Sequence, residues 1–254
     1  MIFDRRRYRK DNYVYLLAEG DDAAWIDPGD PEVALVLAAA HGVRPRWILH
    51  THGHADHTGG SARLREEAGA RVLGHGADAA WFAPDEDLSG RAEVALGALR
   101  LEVVPVPGHT PGSVVLTWRG RAFTGDTLFW GGCGNCRHGG DVEALARSLT
   151  GPVAALPGAL LVHPGHDYGE LNLPFGLALE PGNARTAERL AAVRAARAAG
   201  REPEPSTLEE ERAVNPFLRA DVPTVRDAVR VRAPGTAEDA ASGVAALRRI
   251  RDTW

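Results

Sequence analysis

The segment His52-Gly53-His54-Ala55-Asp56-His57 places four metal-ligand side chains within six positions. In an extended chain, residues two apart point the same way, so His52 and His54 can clasp one ion. Asp56 and His57 follow where the chain turns into the next helix and can face a second. Three further candidates lie at strand ends beside a glycine: His109 in Pro107-Gly108-His109, Asp126 in Thr124-Gly125-Asp126, and His166 in Pro164-Gly165-His166. Imidazole nitrogen and carboxylate oxygen suit zinc, iron(II) or manganese. Seven ligands exceed what one tetrahedral ion takes and fit two ions, with Asp126 between them as the carboxylate that balances charge at the centre. A single histidine after a strand is more often a packing residue. His41, His50, His75, His138 and His163 are therefore left outside the ligand set.

The elements that must position these residues alternate in the first half of the chain. Residues 14–18 and 23–26 read as strands. Asp30 caps a helix with Pro31 at its first position and an apolar stripe of Val33, Val36, Leu37 and Ala40. Residues 46–50 form a strand running into the histidine loop, 61–68 a helix, and 71–74 a strand. Strands follow at 99–106, 114–118 and 121–124, then a helix from Asp141 with Val142, Leu145, Ala146 and Leu149 on one face, and a last strand at 160–163. Beyond about residue 170 only helical patterns recur, at 184–199, 208–213, 223–229 and 237–250. The plan is an α/β domain with a helical appendage.

Composition narrows the function classes. Of 254 residues, 44% are hydrophobic and 25% charged, enough to build a core without disulfide staples. A net charge of -5 supplies no footprint for nucleic acid or an anionic membrane. No signal peptide or membrane span is read, and a cytoplasmic location is expected. The two cysteines, Cys133 and Cys136, form a CxxC between glycine pairs. It lacks the second pair of a zinc ribbon and the helix of a redox motif, and reads as incidental.

The loop Thr51-His52-Gly53-His54-Ala55-Asp56-His57 resembles the signature of the metallo-β-lactamase superfamily. The fold this implies is a four-layer αββα sandwich with metals at one edge. Further segments resemble glyoxalase II, the hydroxyacylglutathione hydrolases: Asp11-Asn12-Tyr13, Gly108-His109-Thr110-Pro111-Gly112, Gly125-Asp126-Thr127-Leu128-Phe129 with Gly132-Cys133-Gly134, and Gly165-His166-Asp167-Tyr168. In the appendage, Glu180-Pro181-Gly182-Asn183, Pro205-Ser206-Thr207-Leu208 and Asn215-Pro216-Phe217-Leu218-Arg219 do so too. The resemblance implies a catalytic domain over 1–169 and a helical substrate-binding domain over 170–254. It gives one ion to His52, His54 and His109 and the other to Asp56, His57 and His166, bridged by Asp126. It matches Tyr168 and Arg219 to substrate contacts. Asn135 and Val222 stand where the family commonly has cations, and Arg137-His138 replaces an aromatic-acidic pair.

The implied activity is hydrolysis of a small-molecule thioester, S-lactoyl-thiol to lactate plus thiol, by a hydroxide bridging two divalent ions, zinc first among them, in a monomer or small homo-oligomer. Asp56 and Asp126 then belong to the catalytic apparatus. A thiol has a pKa near ~8.5, so it departs without a strong general acid. The other readings are a thioesterase for a different carrier thiol, with Asn135 in its contact set, and a persulfide dioxygenase using one iron.

Overall fold

In the computed structural model, which describes residues 1–254, the strands form two sheets. The first runs β1 (Ile2–Tyr8), β2 (Asn12–Glu19), β3 (Asp22–Ile26), β4 (Trp47–Leu49), β5 (Arg71–Gly74) and β6 (Glu86–Asp87), antiparallel up to β3 and parallel beyond it. The second orders β7 (Glu93–Leu96), β8 (Leu99–Pro105), β9 (Val114–Trp118), β10 (Arg121–Gly125) and β11 (Leu161–Pro164) as β11-β10-β9-β8-β7, with only β10 and β11 parallel.

Strand β2 shows why the layers stack as they do. Its side chains alternate in direction, and both faces are buried. Tyr13, Tyr15 and Leu17 enter the core between the sheets, while Val14 and Leu16 enter a second cluster under helices α1 (Pro31–Ala40) and α3 (Ser61–Ala68). This is the αββα sandwich. Helix α1 presents Ala34, Leu37 and Ala38 to the sheet, and Val36 and Ala40 of the expected stripe are exposed. Trp25 packs in the same cluster, and its indole N–H donates to the Ala34 carbonyl at 3.0 Å, which fixes that face of the helix against the sheet.

Helices α4 (Val142–Ser148), α5 (Gly169–Leu179), α6 (Ala184–Ala198), α7 (Leu208–Val214), α8 (Pro223–Arg232) and α9 (Ala240–Arg251) complete the chain, with the short α2 (Ala55–Thr58) inside the histidine loop. One continuous core of 40 buried residues includes Trp130 and Leu128 of the sheet half and Phe175, Phe217, Val244 and Leu247 of the helical half. No helix is long and apolar enough to cross a membrane.

Strands β3, β4, β10 and β11 all end at one edge. Parallel pairing sets Asp27 beside Thr51, and Asp126 beside His166. Backbone bonds join the sheets there: Val114 N–H to the Thr51 carbonyl at 2.8 Å, Tyr13 N–H to the Gly165 carbonyl at 2.9 Å and Asp167 N–H to the Asp11 carbonyl at 2.9 Å.

Candidate metal centre

The seven candidate ligands converge at that edge. One triad is His52, His54 and His109, and another is Asp56, His57 and His166; within each, the ligand atoms lie within 4.8 Å of one another. Asp126 sits between them: Oδ1 is 3.4 Å from His57 Nε2, and Oδ2 is 3.4 Å from His166 Nε2 and 3.5 Å from His109 Nε2. Gly165 allows this crowding, since a Cβ there would stand 2.4 Å from Asp126 Oδ1.

Each imidazole is held by its outer nitrogen. His166 Nδ1 meets Asp11 Oδ1 at 2.8 Å, and His57 Nδ1 meets Asp27 Oδ2 at 3.2 Å. His109 Nδ1 donates to the Asn135 carbonyl at 2.6 Å, and His54 Nε2 to the His138 carbonyl at 3.0 Å. His52 Nδ1 lies 3.1 Å from the Thr51 hydroxyl, which itself donates to Asp27. Acceptors on the outside fix the proton there and turn a lone pair inward. His52 Nε2 and Asp126 Oδ1 are buried without any hydrogen-bond partner. His54 Nδ1 and His109 Nε2 face each other at 2.9 Å, and His57 Nε2 and His166 Nε2 at 3.3 Å. Inward lone pairs at such spacing call for cations, and nitrogen with carboxylate oxygen suits divalent transition metals.

The electrostatics agree. Burial pushes His52 well below its ordinary range, reinforced by the neighbouring histidines, and burial lowers His109 as well. For His166 burial also opposes charge, but Asp126, Asp56 and Asp11 outweigh it and raise the pKa to about 11. Burial likewise opposes ionisation of Asp126, yet the charges of His166 and His57 bring it down to about 2. The carboxylates demand positive charge, and a proton is the smallest carrier of it.

Asp27 and Asp78 are the residues that motif reasoning missed. Asp27 accepts from Thr51 and His57. Asp78 accepts from Gly53 N–H, Gly112 N–H and the Thr110 hydroxyl at 2.6–2.8 Å, tying the two ligand loops together. Both lie beyond strand ends without ligand spacing; the Asp27-Pro28-Gly29 turn after a strand was the available signal. Of the histidines set aside, His41 pairs with Asp4, His50 braces Ser61, and His75 caps residues 76–78. His163 is buried against Phe3, Tyr15 and Phe123.

The family model described as metallo-beta-lactamase superfamily matches residues 7–166, and that described as hydroxyacylglutathione hydrolase C-terminus matches 167–254. Among solved structures, ETHE1 from Myxococcus xanthus is similar with a TM-score of 0.69 and 26% identity, covering 100% of this chain and 99% of that one. A hydroxyacylglutathione hydrolase of Halorhodospira halophila (strain DSM 244 / SL1) is 40% identical, covering 96% of this chain and 95% of the relative. One from Anaeromyxobacter dehalogenans (strain 2CP-C) is 68% identical over 99% of both chains. The chain belongs to the hydroxyacylglutathione hydrolase family of the metallo-beta-lactamase superfamily.

In this family member a cavity of about 470 Å³ opens beside the centre, lined in part by Phe129, Asn135, Arg137, Tyr168, Arg251 and Trp254. Tyr168 stacks on His166, with centroids 4.8 Å apart and planes 5° apart. Burial, with Asp11, Asp126 and Asp56 nearby, pushes its hydroxyl above the ordinary phenol range and keeps it a donor. Asn135 lines the cavity and also supplies the carbonyl that orients His109.

Arg219 lies elsewhere. Its guanidinium forms a two-pronged pair with Glu180 at 2.8 and 2.9 Å and faces a separate depression. Val222 is the residue before α8 and packs on the core, so its lack of charge leaves the cavity unchanged. The cations beside the centre are Arg137, Arg248 and Arg251, the last two on α9, which motif reasoning passed over. Burial raises the Cys133 and Cys136 thiols to about 11 and 12 and keeps them unreactive.

Proposed function

We infer that this protein hydrolyses S-acylglutathione thioesters, 2-hydroxyacyl esters such as S-lactoylglutathione among them, with two divalent metal ions, zinc in the first instance. The observation that carries this reading is the convergence of five inward ring nitrogens and the carboxylates of Asp56 and Asp126 beside an arginine-lined cavity. His52, His54 and His109 would hold one ion, Asp56, His57 and His166 the other, and Asp126 would touch both. Such ions, when bound, acidify water to near neutrality and stabilise negative charge on a carbonyl oxygen.

The chain's own residues do the rest. Asp11, Asp27 and the carbonyls of Asn135 and His138 keep the ligand rings aimed. The Tyr168 hydroxyl can donate to the carrier peptide. Arg251 and Arg137 stand where glutathione's carboxylates would enter, and charge-assisted pairs of this kind contribute about 1.5–3 kcal/mol each. A thiolate leaves without a general acid, and no side chain is required to act as one. All these groups come from one chain, which supports a site that is complete in a monomer. A reducing, glutathione-containing compartment such as the cytoplasm fits this substrate and the free cysteines. The intact second triad gives nothing to favour a single-iron dioxygenase.

Elemental analysis of Asp126→Asn tests the reading. Wild type is expected to hold about two transition-metal ions per chain, and the variant to lose metal and S-lactoylglutathione turnover together. A wild-type enzyme fully active with one tightly held ion overturns the two-ion assignment.

A further inference from the structure

Trp81 is 45% exposed, yet it is held firmly at the rim of the metal centre. Its ring lies 5.5 Å from that of His54, tilted by 47°. Its backbone N–H donates to the Asp78 carbonyl at 2.9 Å, and the Asp78 side chain is itself bonded to Gly53, Thr110 and Gly112. The adjacent Phe82 packs on His50 with centroids 5.1 Å apart. The benzo ring of the indole fits between two glycines. A Cβ at Gly53 would come within 2.8 Å of Cε3, and one at Gly139 within 2.8 Å of Cζ2. Two loops of the centre therefore lack side chains where this ring sits. A scattered surface aromatic needs no explanation; one cradled against a ligand ring does.

Tyr168 stacks on His166, in the other triad. The centre is thus flanked by two aromatic rings, each against a ligand of a different triad. The sulfur and acyl substituents of a thioester leave the carbonyl carbon in different directions. With the carrier thiol in the cavity beside Tyr168, an acyl group on the other side of the carbonyl would run toward His54 and the exposed part of Trp81, which lies outside that cavity. We propose that Trp81 is a specificity-determining residue that selects thioesters with an aryl or branched apolar 2-hydroxyacyl group. The inference rests on the thioester-hydrolase reading. An indole face against such a group gains dispersion and hydrophobic contact that the single methyl of a lactoyl group cannot match.

The test compares kcat/KM for S-mandeloylglutathione and S-lactoylglutathione in metal-loaded wild type, Trp81→Ala and Trp81→Phe, with metal content measured on each. The mandeloyl-to-lactoyl ratio is expected to fall about tenfold in Trp81→Ala, the size of one aromatic contact, and to recover to within about threefold of wild type in Trp81→Phe. A Trp81→Ala ratio equal to that of wild type, whether or not both rates drop, assigns Trp81 to loop packing and overturns the inference. Should Trp81→Ala fail to fold or bind metal, Trp81→Phe against Trp81→Leu gives the same comparison. If wild type cleaves no thioester, the function itself fails; if it cleaves both esters and the ratio never moves, only the role of Trp81 fails.

Discussion

Asp27 holds a left-handed backbone conformation, φ 50°, just past the end of β3. A non-glycine residue there is strained by roughly 1–3 kcal/mol and persists where its surroundings enforce it. Here the enforcement is its carboxylate, which takes the Thr51 N–H at 2.8 Å, the Thr51 hydroxyl at 2.6 Å and His57 Nδ1 at 3.2 Å. Burial opposes its charge, but the imidazoles of His50 and His57 beside it hold it well below the carboxylate range. Asp27→Ala frees the outer nitrogen of His57, and affinity for the ion assigned to Asp56, His57 and His166 is expected to fall about 10–100-fold. Chelator competition measures this, and an unchanged affinity would show that Asp27 serves the backbone alone. His163 is the opposite kind of histidine. Both ring nitrogens are buried without a partner, and burial, reinforced by Arg5 and Arg121, lowers its pKa to about 3. Its unfolded-state value near ~6.5 lies above the folded one, so unfolded chains gain a proton first as pH falls. Stability is intact above about pH 6.5 and is lost as pH drops toward 3. His163→Leu, close in volume, should be more stable than wild type by about 1–3 kcal/mol at pH 7, with the gap widening by about 1–2 kcal/mol at pH 5. Urea midpoints at the two pH values decide it; a constant gap removes His163 from the pH dependence.

At the scale of elements, helix α9 and not the 215–219 segment brings arginines to the cavity beside the centre. Arg248 donates to the carbonyls of Cys133 and Gly134 at 2.9 and 3.4 Å, and Arg251 lines the cavity with its guanidinium 5.6 and 5.2 Å from the Phe175 and Trp254 rings. Arg251→Ala should raise KM for S-lactoylglutathione about tenfold with a smaller change in kcat, since a carboxylate contact remote from the scissile bond is equal in ground and transition states. Arg219→Ala should leave KM alone and cost stability instead, because Glu180 loses its counter-charge and keeps the Thr224 hydroxyl as a neutral partner. If KM rises in Arg219→Ala and not in Arg251→Ala, the two helices exchange roles. The contrast shows what was legible in the sequence. Close spacing makes His52, His54, Asp56 and His57 conspicuous, and strand-end glycines mark His109, Asp126 and His166. Arg251 sits in an arginine-rich helix with nothing in its spacing to separate it from Arg249, which pairs with Glu143 on the surface. Strand β1 is not legible in the sequence, because Arg5 and Arg7 hide its alternation; Arg5 donates to the Pro203 carbonyl, and Arg7 pairs with Asp167 and Glu202. Helix α5 escaped because Pro174 and Gly176 interrupt its pattern.

The whole molecule is tied through the loop that follows Asp126. Residues 129–134 leave several backbone groups facing inward, and the helical half satisfies them. Asn215 Nδ2 donates to the Phe129 and Gly132 carbonyls at 3.1 and 3.0 Å, Glu211 accepts the Gly131 N–H at 2.8 Å, and Arg248 takes the Cys133 carbonyl. The same loop carries Trp130, whose indole is buried in the core shared with Phe175 and Phe217. The Gly134 N–H closes back onto the Asp126 carbonyl at 2.9 Å, so its order reaches the residue between the two triads. A fragment of residues 1–166 loses these hydrogen bonds, at about 0.5–1.5 kcal/mol each, and strips the core of its helical wall, a loss comparable to the roughly 5–15 kcal/mol that holds a domain folded. The fragment should therefore bind a hydrophobic dye, lose near-ultraviolet circular dichroism and hold less metal than the full chain. Adding residues 167–254 in trans should restore metal content in part, because the missing contacts are non-covalent. A fragment that unfolds cooperatively at the full chain's midpoint with its metal complement intact would show that the helices serve the substrate alone and leave the metal centre to the two sheets.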